Sequence, residues 1–105
     1  MKSNVIKDKS FAFAIRIIEL YQHQINEHKE FVISKQLFRS GTAVGALVRE
    51  SINAESRADF VHKLGIAQKE CDETIYWLEL IYATNYISLE EFESIYDDAT
   101  ELLKI

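Results

Sequence analysis

The chain has 105 residues, a net charge of −5 and a single cysteine, Cys71. This length predicts one domain, residues 1–105, with a core large enough to fold without a structural metal. The lone cysteine excludes an internal disulfide. The first apolar run, residues 11–20, is short and interrupted by Arg16 and Glu19, so we expect no signal peptide and no membrane-spanning helix. A cytoplasmic location is predicted.

The composition is typical of an all-α protein. The chain has no proline and only three glycines, and its apolar residues recur at helical spacing without strand-like alternation. The pattern predicts helices at about residues 4–28, 34–54, 57–84 and 89–104. Because the connections are short, neighbouring helices must run antiparallel, and the predicted fold is an up-down-up-down four-helix bundle.

Predicted helix 1 carries two apolar stripes. The first consists of Phe11, Ala14, Ile15, Ile18, Tyr21 and Ile25. The second consists of Phe13, Ile17 and Leu20. Together they exceed the roughly 100° arc that a surface helix buries. Helix 1 is therefore buried on two sides within the monomer, or buried once and used again in an oligomer, with the second stripe as the candidate oligomer surface.

Predicted helix 2 starts after Ser34, a suitable N-cap residue. Its core stripe is Leu37, Gly41, Val44, Val48 and Ile52. Small residues also lie on the opposite side, where Ala43 and Ala46 stand among polar neighbours. Because alanine allows close approach of another helix, Ala43 and Ala46 are further candidates for oligomer packing.

Predicted helices 3 and 4 have recognisable ends. Ser56 is the expected N-cap of helix 3, and Asn85 can end that helix in the left-handed conformation. The segment Ser88-Leu-Glu-Glu91 forms a capping box for helix 4. Trp77 lies off the apolar stripe of helix 3, so it is either at the rim of the core or an anchor in an interface.

Charge is unevenly distributed along the chain. Residues 1–30 carry five Lys/Arg and four Asp/Glu, residues 31–69 carry six and three, and residues 70–105 carry one and ten. The middle segment could attract nucleic acid or an anionic membrane locally, whereas the last segment repels both, and no membrane partner is predicted. Charge segregation of this kind also serves solubility.

No catalytic, metal or cofactor site is predicted. The three histidines include only one approximate match to the Glu-x-x-His pairs of di-iron bundles, Asp59-x-x-His62, which has the wrong acid. Cys71 lies in the core stripe of helix 3, where cysteine acts as a small apolar residue.

A polar group on helices 2 and 3 is the remaining candidate site. Its members are Arg39, Arg49, Glu50, Arg57, Asp59, Lys63 and Lys69. In one interpretation the basic members bind phosphates or an acidic partner. In the other, which the interleaved acidic residues favour, ion pairs between helices or between subunits are formed by Arg39, Glu50, Asp59 and Lys63.

The run RSGTAVGA at residues 39–46 resembles the RSxxSIxAN signature of the bacterial four-helix bundle family, also called the 23S rRNA intervening-sequence proteins. Further similar segments follow in the family's order at residues 49–50, 56–60, 63–64, 66–67, 69–70, 73–74, 76–80 and 85–87. Leu47 stands where the family has asparagine, and residues 49–51 read Arg-Glu-Ser instead of Ala-Glu-Gly.

The resemblance implies a bundle that assembles into a ring, commonly a homopentamer, with no known enzymatic activity. Relatives include the accessory protein of diversity-generating retroelements, which binds nucleic acid and a reverse transcriptase. We therefore expect a non-enzymatic, homo-oligomeric binding or adaptor protein whose partners are copies of itself and RNA or an RNA-associated protein. Leu47 and the acidic net charge weaken the RNA part. The alternatives are a purely protein-binding accessory subunit of a retroelement or toxin–antitoxin system and, less favoured, a small metalloenzyme.

Overall fold

The computed structural model describes residues 2–104, with side chains from Val5 onward. Met1 and Ile105, the two ends of the predicted domain, lie outside the described residues. The described chain forms four α-helices and no strand, which confirms the predicted all-α class. The helices are α1 (Lys2–His23), α2 (Val32–Ile52), α3 (Arg57–Ala83) and α4 (Leu89–Lys104), and a π-helical turn (Gln24–His28) extends α1.

The helices form the predicted up-down-up-down bundle. Each helix packs against the next along the chain, and α4 returns to pack against α1. The bundle measures 44 × 22 × 18 Å, and its length matches the roughly 40 Å that the 27 residues of α3 span. Two surface ion pairs close the contact between α1 and α4, Arg16–Asp98 at 2.7 Å and Lys9–Glu101 at 2.9 Å.

One continuous core lies between the helices. All four helices contribute large, fully buried side chains, including Phe13, Ile17, Leu37, Leu78 and Ile95. Ile52, predicted to belong to the core stripe of α2, is exposed because it is the last residue of that helix.

The two apolar stripes of α1 occupy the reverse of their predicted places. Phe13, Ile17 and Leu20, the predicted oligomer surface, are buried in the core of the monomer. Members of the other stripe face outward: Phe11 is 54% exposed, Ile15 45% and Ile18 36%. The prediction for the second stripe was therefore wrong, and the apolar surface available to a partner is the first stripe.

Two glycines of α2 explain which stripe is buried. A Cβ atom at Gly41 would lie 2.8 Å from Cγ1 and Cγ2 of Ile17, and a Cβ atom at Gly45 would lie 3.3 Å from the Ser10 carbonyl oxygen. The absence of side chains thus lets α1 approach α2 closely along these two turns. We call the gap left in α2 by Gly41 and Gly45 the notch. Both stripes of α1 are apolar, but the buried stripe is the one whose Ile17 fits this notch.

The predicted ends of α3 and α4 are present. The Ser56 Oγ accepts a hydrogen bond from the Asp59 N–H at 3.1 Å, and the Ser88 Oγ accepts one from the Glu91 N–H at 3.1 Å. At the end of α3, Asn85 has a φ of 69°. The N–H of Tyr86 then donates to the Ile81 carbonyl at 3.1 Å, as in a Schellman motif.

The start of α2 differs from the prediction because its cap is Glu30 rather than Ser34. The Glu30 carboxylate accepts hydrogen bonds from the N–H groups of Val32, Ile33 and Ser34 at 2.7–3.1 Å. It also accepts one from the Ser34 hydroxyl at 2.6 Å. α2 consequently begins two residues earlier than predicted, and Ser34 is a buried residue of its first turn.

Candidate interaction surfaces

Arg39 belongs to a polar network that joins α2 to α3. Its guanidinium lies 3.3 Å from both carboxylate oxygens of Glu70 and also pairs with Glu73. The indole N–H of Trp77 donates to the same Glu73 carboxylate at 3.0 Å. Arg39 therefore directs its charge to two carboxylates of its own chain, as the ion-pair interpretation expects.

The network shifts the pKa values of Glu73 and Arg39 so that the charged form of each side chain is favoured. The pKa of Glu73 lies below its ordinary value, first because Trp77 donates a hydrogen bond to the carboxylate and then because Arg39 adds a hydrogen bond and a positive charge, which outweigh partial burial. The pKa of Arg39 is raised by its hydrogen bonds to Glu70 and Glu73. Arg39 and Glu73 are thus both ionised at neutral pH.

Lys63 and Glu50 form a second link between α2 and α3. Their Nζ and Oε1 atoms lie 2.9 Å apart, and the hydrogen bond to Glu50 raises the pKa of Lys63. Arg39 and Glu50 lie eleven residues, or roughly 16 Å, apart along α2, which is too far for an ion pair, and each instead pairs with a residue of α3. Asp59, near the same end of α3, adds a smaller electrostatic effect on Lys63.

The other three basic members of the predicted group are not brought together. Arg57 and Lys69 are exposed on α3, twelve residues or roughly 18 Å apart along the helix. The Arg49 guanidinium lies 5.4 Å from the centre of the Phe11 ring, a cation–π distance. Within residues 5–104 none of the three forms a salt bridge, so their charges face outward.

A buried hydroxyl pair, not identified in the sequence, also joins α2 and α3. The Thr74 hydroxyl donates to the Glu70 carbonyl at 2.7 Å and lies 2.9 Å from the Ser40 Oγ, with both residues fully buried. The sequence could have indicated this pair, because Ser40 and Thr74 occupy core positions of their helices. A buried hydroxyl needs a hydrogen-bond partner, and each of these two finds one in the other helix.

An apolar surface lies on one side of α1 and α2, and we call it the α1–α2 face. It comprises Phe11, Ala14, Ile15, Ile18, Thr42, Gly45 and Ala46. A depression of about 330 Å³ lies between the two helices there, with Lys7 and Arg49 at its edge. A second depression of about 460 Å³ shares Thr42 and Ala46 and extends along α2 to Ala43, Arg39 and Lys35.

The three remaining residues predicted to pack between subunits, Ala43, Ala46 and Trp77, do not lie on one common surface. Ala43 is half-buried and Ala46 is exposed, and both line the depressions of the α1–α2 face. Trp77 is half-buried against the core and bonded to Glu73, so it lies at the rim of the core. Its neighbour Tyr76, which contacts the Trp77 ring edge-on, is 54% exposed.

The described residues contain no convergent set of three or more His, Cys, Asp or Glu side chains suited to a metal ion. His23, His28 and His62 are all exposed. Burial, with a smaller contribution from Asp72, raises the pKa of the Cys71 thiol to about 11, and its Sγ donates to the Ala99 carbonyl. Cys71 is therefore protonated at neutral pH. Over residues 2–104, none of the helices combines the length and apolar character needed to cross a bilayer.

Comparison with known proteins supports the resemblance seen in the sequence. No curated protein matches the chain. A crystal structure of a protein of unknown function from the S23 ribosomal protein family of Bacteroides thetaiotaomicron is 59% identical, with a TM-score of 0.98. The match covers 99% of this chain and 93% of that one. The family model described as 23S rRNA-intervening sequence protein matches residues 2–105. With nearly the whole chain matched, the protein belongs to the 23S rRNA-intervening sequence protein family.

Proposed function

We propose that this protein is a non-enzymatic binding module that assembles with copies of itself through the α1–α2 face. The observation that carries the proposal is the exposure of Phe11, Ile15 and Ile18 in one stripe beside the small residues Gly45 and Ala46. A contiguous apolar surface with a polar rim is typical of a protein interaction site. Small residues on the adjoining helix allow a partner's helix to approach closely.

The occupant we propose is the acidic exterior of α3 in a second copy. Asp72, Tyr76 and Glu79 are exposed and lie on one stripe of α3, at helical spacing. Their charges complement Lys7 and Arg49 at the edge of the α1–α2 face, and Tyr76 offers an aromatic ring to its apolar centre. Residues 70–105 carry ten acidic residues and one basic residue, so charge opposes pairing of two such exteriors with each other.

An interface between two different faces of the same chain is heterologous. Such interfaces generate closed rings when the rotation between copies closes, and filaments when it does not. A ring is the assembly that the family resemblance implies. Each copy presents both the α1–α2 face and the acidic exterior of α3. In a closed ring a neighbouring copy therefore covers each of these two faces.

Sedimentation of the full chain tests the proposal. We expect a mass several times the 12.2 kDa of one chain at micromolar concentration. Phe11→Glu and Ala46→Glu should each shift the protein toward monomer, because they place a carboxylate in the apolar centre of the interface. Val32→Glu is the matched control, since Val32 is exposed but lies outside both faces. A monomeric wild-type protein, or equal effects of all three substitutions, would contradict the proposal.

RNA is the second candidate partner, supported by one observation and by the name of the family. Arg57 and Lys69 are exposed, basic and free of salt bridges within residues 5–104, whereas Lys63 between them pairs with Glu50. In an assembly these cations would recur once per subunit and could contact phosphates at several points.

An electrophoretic shift with a structured RNA at low and high salt tests this candidate. Lys69→Gln should weaken binding and reduce the salt dependence by about one phosphate contact for each subunit that touches the RNA. Lys63→Gln is the matched control and should have little effect, because that charge is already paired. If the wild-type assembly binds no RNA at low salt, RNA is excluded and a basic protein becomes the expected partner of the acidic helices.

A further inference from the structure

A cavity of about 260 Å³ lies at the end of the bundle where α2 connects to α3. All four helices line it, through Ile6 of α1, Val44 and Val48 of α2, Leu64 and Gly65 of α3, and Leu102 of α4. Val61, which is 57% exposed, stands at its mouth. The cavity therefore reaches inward between the helices instead of running along one of them, and it is separate from the depressions of the α1–α2 face.

The lining is mostly apolar. Among the described residues, Gln68 and Cys71 contribute the polar side chains of the wall. The Gln68 Nε2 donates to the Leu103 carbonyl at 3.3 Å, and the Cys71 Sγ donates to the Ala99 carbonyl at 3.3 Å. A charged occupant would lose its hydration without meeting an opposite charge among the lining residues, so the wall selects an uncharged, mainly apolar occupant.

Gly65 has no explanation in the packing of the described residues. Gly41 and Gly45 are required by the close approach of α1, but a Cβ atom at Gly65 would meet no atom of residues 5–104 within 4 Å. Glycine inside a helix lowers stability relative to alanine, so the packing of this chain alone would favour a larger residue. A side chain at position 65 would instead extend into the open space that Gly65 lines.

We propose that this cavity is a binding site for a compact apolar molecule, about the size of one or two fused aromatic rings. An apolar protein cavity of about 150 Å³ is sufficient for benzene, whereas drug-sized ligands occupy roughly 300–1,000 Å³. The observed volume lies between these values. The lining by four helices at one end of the bundle favours a small molecule over a peptide segment, which would need a groove open at both ends. Gly65 keeps the site open.

Titration of the full chain with toluene, followed by methyl NMR signals, tests the site. Toluene should produce saturable shifts at Val48, Leu64 and Leu102, and should raise the melting temperature. Benzoate, which has a similar size, should bind more weakly by roughly tenfold or more, because no cationic side chain among the lining residues can pair with its carboxylate. Absence of saturable shifts with toluene, or equal binding of benzoate, would overturn the proposal.

Gly65→Leu distinguishes the cavity from other apolar surfaces. The leucine side chain should occupy the site and abolish the toluene shifts. The variant should keep the helical circular dichroism spectrum and should still unfold in one cooperative thermal transition. Ala58→Leu is the matched control, since it adds an exposed leucine on α3 outside the lining and should leave toluene binding unchanged. If Gly65→Leu instead retains toluene binding, or if it lowers the sedimenting mass, the cavity is not a small-molecule site and the second result identifies it as a contact between copies.

Discussion

The two helical hairpins of the bundle present different exteriors. Residues 1–52, which contain α1 and α2, carry eight Lys/Arg and five Asp/Glu, whereas residues 57–104, which contain α3 and α4, carry four and eleven. The first hairpin exposes three large apolar residues in one stripe of α1. On α3 the exposed Val61 and Tyr76 are fifteen residues apart, or roughly 22 Å along the helix. The first hairpin thus has an apolar, weakly basic exterior and the second an acidic one.

The difference between the two hairpins indicates that the shape of α2, more than hydrophobicity, determined which side of α1 is buried. Either stripe would bury enough apolar surface for a core helix. Ile17 fits the notch at Gly41, and Phe11 remains outside as a consequence. In the second hairpin the exterior positions of α4 are mostly acidic, so its apolar stripe has one possible orientation.

The largest effect should come from filling the notch between α1 and α2. Gly41→Ala places a methyl group 2.8 Å from two atoms of Ile17, whose β-branched side chain cannot move aside freely. We expect a loss of about 1–3 kcal/mol in the free energy of unfolding, measured by urea denaturation. A larger separation of α1 from α2 should also alter the α1–α2 face, so the same variant should assemble less well.

Gly65→Ala is the control for the notch. A methyl group there meets no atom within 4 Å in the described part of the chain, so alanine should stabilise the protein by about 0.4–1 kcal/mol through its better helix propensity. If both alanine variants change stability in the same direction, close packing does not distinguish the two hairpins.

An intermediate effect is expected at Glu30, since the first hairpin starts α2 with a buried carboxylate whereas α3 and α4 start with exposed serines. Glu30→Gln should cost about 1–2 kcal/mol at neutral pH, because an amide cannot accept all four hydrogen bonds. Ser88→Ala should cost less, as it removes one exposed bond. Thermal unfolding at pH 7 compares the two.

The effect of Glu30 should depend on pH. Burial alone would raise the pKa of this carboxyl, but the hydrogen bonds from the Ser34 hydroxyl and from three backbone N–H groups together lower it below 4.5. A carboxyl with a lowered folded-state pKa stabilises the fold above its unfolded-state pKa, and the contribution is lost as the pH falls through the folded-state value. The difference between wild type and Glu30→Gln should therefore be constant above about pH 5 and shrink at lower pH. A constant difference down to pH 3 would contradict this account.

The smallest effect should come from the ion pairs that join the two hairpins. Arg39→Gln removes the partner of Glu70 and Glu73, but the Arg39 side chain is half exposed, so we expect a loss of about 0–1 kcal/mol. High salt should reduce the loss. Thr74→Val, which removes a buried hydrogen bond between the same helices, is the comparison. It should lower the free energy of unfolding by more than Arg39→Gln does. The reverse order would mean that the surface network, and not the buried pair, holds the hairpins together.

The sequence predicted those features that depend on local signals. The four helices follow from apolar periodicity, and the ends at Ser56, Asn85 and Ser88 follow from residues that bond their own backbone neighbours. The buried stripe of α1 could not be predicted, since the choice depends on Gly41 of another helix. Glu30 was also missed, because a glutamate cap bonds the helix from two residues before its start, which is not the usual serine pattern. Among the candidate residues, Lys63 and Glu50 were both expected in ion pairs, although their partners were not specified, and the α3 carboxylates bound to Arg39 were not predicted.

The contact between α1 and α4 has a consequence for the order of folding. Most contacts in the bundle join helices that are adjacent in the chain, so their loops close with little loss of entropy. The pairs Arg16–Asp98 and Lys9–Glu101 instead join residues separated by more than 80 positions. Such long loops close late, and we expect the bundle to fold from its centre, α2 with α3, and to gain the α1–α4 contact last. Local opening should start at the same place, so amide exchange should be fastest where α4 meets α1.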